Sequence, residues 1–386
     1  MWVDNDLTAF ADGTSADVGG PLDGYSESDR SQHVNFVDDN GHVHELYRSP
    51  DPAAQWVDND LTALAGGTPA SKDGPALDAY LQDDGSQHVN FVDDNGHVHE
   101  LYRSPDPAAQ WVDNDLTAFA GGTQAVVPTG ELDGYSQDDG SQHVNFLDLN
   151  NHVHELYRSP DPAAQWVDND LTKFAGGTQA TFLSGLDGYS QDDGSQHVNF
   201  IALSNDHVHE LYRSSDPAAQ WVDNDLTALA AGTPAGEGTD DSGRLVGYSQ
   251  DDGSHHVNFV NLPLQHVHEL YRSPDPAAQW VDNDLTALAG GTPAFGAGLA
   301  QYSQGDGSQH VDFNALTGVG SSTVHVHELY RSPDPAAQWV DNDLTALAGG
   351  TPALGNQLSG YSQSDGSQHV NFIDENGHVH ELYGSP

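Results

Sequence analysis

Cysteine is absent from the chain, so neither a disulfide framework nor a thiolate metal or redox centre is open to it. Positive charge is nearly absent too: Lys plus Arg number 10 against 59 Asp plus Glu, a formal net charge of −49 over 386 residues. A surface of that sign repels nucleic acid and anionic lipid, and its self-repulsion is screened by salt. No apolar run approaches the roughly 20 residues of a membrane span, and no basic start followed by an apolar stretch marks a signal peptide. Nucleic-acid partners and membrane insertion are therefore not expected. Compartment and oligomeric state stay open.

What the chain has is repetition. The segment SQHVNFVDDNGHVHELYRSPDPAAQWVDNDLTALAGGTPA recurs with small changes seven times. Tryptophans stand at Trp2, Trp56, Trp111, Trp166, Trp221, Trp280 and Trp339, spaced by 54 to 59 residues. The first histidine of each HVNF-type block falls at His33, His88, His143, His197, His256, His310 and His369, and an HVHELY block follows each time.

Each repeat reads as four short strands. LDGYS around Tyr25 is the first, and HVNFV from His33 is the second, with Val34 and Phe36 on one face and His33, Asn35 and Val37 on the other. Asp38, Asp39, Asn40 and Gly41 form a hairpin turn. HVHELY from His42 returns with His42, His44 and Leu46 opposed to Val43, Glu45 and Tyr47, and SPDP then breaks the sheet. QWVDNDLT from Gln55 is the fourth strand, placing Trp56, Asp58 and Asp60 opposite Val57 and Leu61; LTALAGG supplies a helical turn at most. Four antiparallel strands per unit make a propeller blade, and β-branched alternation with frequent turn signals argues against helix pairs in a solenoid.

The expectation is an all-β, seven-bladed β-propeller forming a single domain over residues 1–386. Its first residues, WVDNDLT within residues 1–10, are a fourth strand without its blade, and the last unit stops at HVHELYGSP, where a fourth strand is due. The N-terminal strand is thus expected to complete the C-terminal blade, closing the circle and removing free sheet edges. Connections such as GTPAGEGTDDSGRLVGY before Tyr248 vary and read as solvent-facing loops. Unit six inserts NALTGVGSST between its hairpin strands, separating His310 from Glu328 by more residues than in the other units.

Seven copies of one residue set do not suit catalysis, which needs an asymmetric constellation with pKa values pushed apart. No unique Ser/His/Asp set, carboxylate pair or HExxH motif emerges. Repeated grooves suit multivalent binding, and a sugar requires an aromatic face together with fixed polar groups for its hydroxyls. Each unit offers Trp, Tyr, His, Glu, Asp and Asn.

The pattern of an extended strand, a DxxG-type turn, a strand carrying Glu, and a Trp about ten residues later resembles the fucose-specific propeller lectins of fungi and bacteria. The resemblance covers all seven units and implies non-catalytic glycan binding at sites between adjacent blades, with no cofactor. In that family an arginine near the start of the second strand and a glutamate twelve residues later hold the sugar, with aromatic residues around them. The glutamate position matches Glu45, Glu100, Glu155, Glu210, Glu269, Glu328 and Glu381. The arginine position is occupied instead by the seven histidines from His33 to His369, and a shorter, mostly neutral side chain gives up the charge-assisted grip of arginine. The candidate ligand-binding set is therefore these histidines, these glutamates and the seven tryptophans, with glycans or glycoconjugates as partners and the particular sugar left open.

Other readings of the same residues stand beside this one. The tryptophans suit core packing between blades as well as sugar stacking. His33 suits a structural hydrogen bond, and Glu45 suits pairing with Arg48, which unit seven replaces by Gly384. The His42 and His44 pair lies on one strand face, but two histidines at i,i+2 leave the remaining zinc ligands unspecified, so no metal site is expected. Asp4, Asn5 and Asp6 lack an EF-hand pattern and suit turn or inter-blade hydrogen bonds. At the level of function, a protein-interaction propeller and an enzyme with one site at the channel mouth remain alternatives.

Overall fold

In this computed structural model the described residues are 1–386 apart from 73, 75, 128–130, 183–184, 217, 237–243, 276, 319, 335 and 356. The connection before Tyr248 thus lies in large part outside them. The chain forms seven four-stranded antiparallel sheets, the blades of a seven-bladed β-propeller. Strand β1 (Trp2–Asp6) and helix α1 (Leu7–Ala11) open the chain, and blade one follows as β2 (Leu22–Ser26), β3 (Gln32–Val37), β4 (Val43–Arg48) and β5 (Val57–Asp60). Strand β1 is the outer strand of blade seven, running antiparallel to Val379–Gly384 in the register Trp2 to Gly384 through Asp6 to His380. Contacts group the chain into two compact units, residues 1–60, 258–269 and 283–386 in one and 61–257 and 270–282 in the other.

Register follows side-chain parity. In blade three, Val144 lies opposite Leu156, and Asn145 lies opposite Glu155, which in turn faces Asn169 on the outer strand. One face therefore carries Val144, Phe146, Leu156 and, one residue before the outer strand, Trp166. The other carries His143, Asn145, Glu155 and Asn169. Both faces are buried, because blades stack on both sides. The apolar face of blade three packs on Val92, Val98 and Leu116 of the preceding repeat, and blade four repeats this with Phe200, Leu211 and Trp221 on Leu147, Val153 and Leu171. All seven central phenylalanines, from Phe36 to Phe372, are fully buried.

The fourth strand is shorter than its sequence suggests. It ends at the second aspartate, and the next five residues form a helix. The cause is capping: Asp6 takes an extended backbone conformation and its carboxylate accepts the Ala9 N–H at 2.8 Å, which nucleates a turn and ends the ladder. The ladder is continued by a side chain instead, since Thr8 Oγ1 accepts the Val379 N–H at 2.9 Å and Thr117 Oγ1 accepts that of Val98. Leu7 and Thr8 consequently belong to a buried helix face.

The first aspartate of each VDND segment receives the loop that follows the preceding helix. Thr14 N–H donates to Asp58 Oδ2 at 2.7 Å, and the same bond joins Thr68 to Asp113, Thr123 to Asp168, Thr178 to Asp223, Thr233 to Asp282, Thr292 to Asp341 and Thr351 to Asp4. A charge-assisted bond to backbone recurs at all seven positions.

Candidate functional site

The polar face of each blade is organised around its glutamate. In blade two, Glu100 Oε1 lies 2.7 Å from His88 Nδ1 and Oε2 accepts from Asn114 Nδ2 at 2.9 Å. A carboxylate only accepts, so His88 Nδ1 carries the proton; its Nε2 lies 2.9 Å from Ser86 Oγ. Tyr80 stacks on the imidazole at 4.7 Å with planes 1° apart, and Tyr102 tilts against it at 5.2 Å. The same His–Glu pair recurs at His33–Glu45, His143–Glu155, His197–Glu210, His310–Glu328 and His369–Glu381, each at 2.7 or 2.8 Å. His256 is likewise stacked on Tyr248, and Glu269 accepts from Asn283.

These histidines and glutamates are buried, and bonds to a histidine on one oxygen and an asparagine on the other fix the carboxylates of Glu45, Glu100, Glu155, Glu210, Glu328 and Glu381 in their blades. Burial by itself would raise Glu155, but the His143 hydrogen bond and charge, the Asn169 bond and the Arg213 guanidinium outweigh it and hold the carboxyl below its ordinary range. An ionised acceptor with fixed orientation results.

The tryptophan of the same repeat is not beside it. Trp111 lies on the opposite face from Glu100, and the tryptophan that meets Glu100 is Trp166 of the next blade. Together they line a groove of about 500 Å³, with Tyr102, Val112, Asn114 and Phe119 on the blade-two side and Gln142, Arg158, Gln165 and Trp166 on the blade-three side. Arg158 Nη1 donates to Gln142 Oε1 at 3.4 Å. The register sets Arg158 opposite Gln142, off the face that carries its own Glu155, and it lines the groove that holds Glu100; Arg48, opposite Gln32, lies likewise off the Glu45 face, which revises the Arg48–Glu45 pairing suggested by sequence proximity. Phe119 is 57% exposed and Val112 47%, so the groove has an apolar rim. The tryptophans from Trp56 to Trp339 are 7 to 9% exposed, so most of each is core, while Trp166 and Trp280 also line grooves.

Tyr102, Asn114, Gln142, Arg158 and Phe119 were not among the sequence candidates. Their signal was present as near-invariant YR, N and Q positions, but assigning them required knowing which faces of successive blades meet.

The grooves are not equal. Between blades four and five, about 620 Å³ is lined by Glu210, Asn224, Tyr212, Arg272 and Trp280, and His255 stands where the other repeats have glutamine. Its ring packs 4.9 Å from His197 and 5.9 Å from Trp280. Burial, with the charges of His197 and Arg272, pushes it down to about 4, so it is neutral at ordinary pH. In blade seven, Gly384 replaces the arginine, and a Cβ there would lie 3.1 Å from the Trp2 ring and 3.0 Å from Gln368 Oε1. Histidine and carboxylate groups with ligand atoms within 4.8 Å of one another also occur away from the grooves, as in His42, His44 and Asp60.

No family model matches the chain, and no curated protein matches it. Among solved structures it is similar to the BP39L lectin of Burkholderia pseudomallei, at 12% identity over 96% of each chain with a TM-score of 0.65. It is similar also to AofleA of Arthrobotrys oligospora, at 11% identity over 89% of this chain and 88% of that one, TM-score 0.58. The fucose-specific lectin of Aleuria aurantia matches at 15% identity over 89% and 98%, TM-score 0.55. At such identities the likeness is one of fold.

Proposed function

We propose that this protein is a multivalent, non-catalytic glycan-binding lectin whose ligands seat in the grooves where the Glu–His–Asn face of one blade meets the Arg–Trp face of the next. The observation that carries this reading is the groove of Glu100, Asn114, Arg158 and Trp166. A pre-oriented carboxylate accepts from sugar hydroxyls, a guanidinium donates to them, and the Trp166 edge with Val112 and Phe119 receives the apolar side of the ring. The named propeller lectins of similar fold support the same class. Among the described residues lining that groove Glu100 is the one carboxylate, whereas glycoside hydrolysis ordinarily employs a pair; the groove between blades four and five has Asp193 as well as Glu210. Repetition then multiplies weak sites into avidity for a surface that displays many copies of a glycan.

A glycan array, with fucosylated structures as the first probes, followed by calorimetry with the free sugar, tests the proposal. Replacing Glu100, Glu155 and Glu210 together by Gln is expected to leave the fold intact and weaken binding at their grooves by roughly 10-fold or more each, the worth of a hydrogen bond to a charged group. A blank array together with blank calorimetry for free monosaccharides overturns it. So does a protein partner retained in excess mixed sugars with no sugar binding at all.

A further inference from the structure

Two histidines on one strand face do not by themselves define a metal site, but the fold brings them the missing carboxylates. In blade three, His154 Nδ1 donates to Asp168 Oδ1 at 2.7 Å, and the other Asp168 oxygen is held by the Thr123 N–H. This fixes the ring and leaves Nε2 as the outward nitrogen. It points at Asp148 Oδ2, 3.6 Å away, and Asp170 Oδ2, 4.0 Å away. Those separations are too long for hydrogen bonds. They approach the roughly 3.4 Å expected between neighbouring donors of a tetrahedral ion bound at about 2.0–2.2 Å. His152 Nδ1 sits 3.0 Å from the same Asp170 oxygen.

The ligands are also braced from outside. Asp148 Oδ1 accepts the N–H groups of Asn150 and His152, and its Oδ2 accepts from Asn150 Nδ2, so the hairpin turn holds the carboxylate in place. A carboxylate behind the ligating imidazole, here Asp168, is the usual support of a metal-bound histidine.

The repeats make an internal comparison. Blades one, two and seven keep the turn-aspartate contact, with His44 Nε2 3.8 Å from Asp38, His99 Nε2 3.8 Å from Asp93 and His380 Nε2 3.8 Å from Asp374, and set the last aspartate more loosely, with the ligand atoms of Asp60, Asp115 and Asp6 within 4.8 Å of those of the same histidines. Blades four, five and six have Ala202, Asn261 and Ala315 at the aspartate position. In blade four the buried His209 Nε2 has no hydrogen-bond partner and faces Asp225 at 3.7 Å.

The geometry points to four divalent transition-metal sites of the zinc class at the rims of blades one, two, three and seven. Each is ligated by the Nε2 of His44, His99, His154 or His380 together with the turn aspartate and the last aspartate of the outer strand. Mixed imidazole and carboxylate donors select zinc-like ions over calcium or magnesium, and a chain of net charge −49 concentrates cations around itself. A proton on Nε2 is the competitor, so binding releases protons and strengthens as pH rises through the histidine range. These sites are independent of the glycan grooves.

Zinc titration of the chelator-stripped full chain, read by calorimetry and by anomalous diffraction at the zinc edge, decides the matter. About four equivalents are expected, with peaks between His154 Nε2 and Asp148 Oδ2 and at the three counterparts. Asp148→Asn keeps the Oδ1 that accepts the Asn150 and His152 N–H groups, gives up the oxygen that accepts from Asn150 Nδ2, and should lower four equivalents to three. Asp168→Asn should weaken that one site by roughly tenfold or more, and His209→Gln in blade four should change nothing. The inference fails if the stripped chain takes up no zinc, if Asp148→Asn leaves the stoichiometry at four, or if the anomalous peaks lie only elsewhere, for example at His197, Glu210 and His255.

Discussion

Blade one places a buried imidazole between two carboxylates. The glutamine that stands near the corresponding serine and histidine in other repeats, such as Gln82 or Gln137, is Glu27 here, so His33 has Glu45 at 2.7 Å on Nδ1 and Glu27 at 3.2 Å on Nε2. Burial by itself would lower this histidine, but the hydrogen bonds and charges of Glu27 and Glu45 push it up to about 9 from 6.5. With the folded value above the unfolded one, the stabilisation is fully present below pH 6.5 and is lost as pH rises through 9. That difference corresponds to about 3 kcal/mol. Denaturant unfolding at pH 6 and pH 9.5 should show a decline in stability that is smaller in Glu27→Gln. Equal declines in both proteins would count against the charged sandwich.

The reverse case lies in blade six. Asp312 occupies a fully buried position that is asparagine in the other repeats, and both its carboxyl oxygens are without hydrogen-bond partners. Burial, with Glu328 nearby, raises it well above 3.8. A raised folded value costs stability at every pH above the unfolded one, so Asp312→Asn is expected to raise the melting temperature at pH 7 to 8 and to matter little near pH 3. Calorimetric scans at both ends check this.

Among the elements, the helix after each outer strand explains most of what sequence patterning missed. Strand alternation was legible because apolar and polar residues sort to opposite faces, and the Asp-Asn-Gly turns mark hairpins. The helix start was not, since VDNDLT continues the alternation while capping by Asp6 or Asp115 competes with it and wins. The His33–Glu45 hydrogen bond was not legible either, since the sequence offered Arg48 as the partner of Glu45 and the pairing depends on the strand register. Nor were the groove neighbours of each glutamate, Arg158 and Trp166 for Glu100, because they belong to another repeat and become adjacent only through blade stacking.

The glycine pair that ends five of the seven helices divides this labour further. Gly121 has φ of +58° with open space around it, and the equivalent positions hold Ala231 at +48° and Asp12 at +50°. Gly121→Ala should therefore cost only about 1 kcal/mol of backbone strain. At Gly122 a Cβ would lie 3.0 Å from Asp168, against the carboxylate that receives the Thr123 N–H. Gly122→Ala should cost roughly 1–3 kcal/mol through displacement of that contact. Urea midpoints that rank the two substitutions the other way would refute this account.

For the molecule as a whole, a charge of −49 sets the solution conditions under which it is most stable. Apart from Asp312, the buried carboxylates described above are compensated by histidine, asparagine and backbone donors, but the exposed ones repel each other across distances that salt screens to about 8–10 Å near physiological ionic strength. Melting temperature should rise with sodium chloride from low millimolar to molar concentration, and a flat or falling curve would contradict it. His255 and Gly384 grade the grooves, so binding isotherms for a free sugar are expected to need more than one affinity class.

Strand β1 carries one more consequence, a kinetic one. Its residues bond to partners almost the whole chain away: Asn5 to Glu381, and the Met1 ammonium to Ser385 Oγ at 3.0 Å. The earlier VHELYR strands offer the same register but are each paired with the outer strand of their own blade, so in the finished fold Trp2–Asp6 has its place only on Val379–Gly384. Completion of blade seven is then the step of greatest loop-closure cost and the natural last event of folding. A chain lacking Val379–Gly384 leaves its first strand without a ladder partner, whereas two chains that retain it can seal each other's seventh blade by exchanging their first strands.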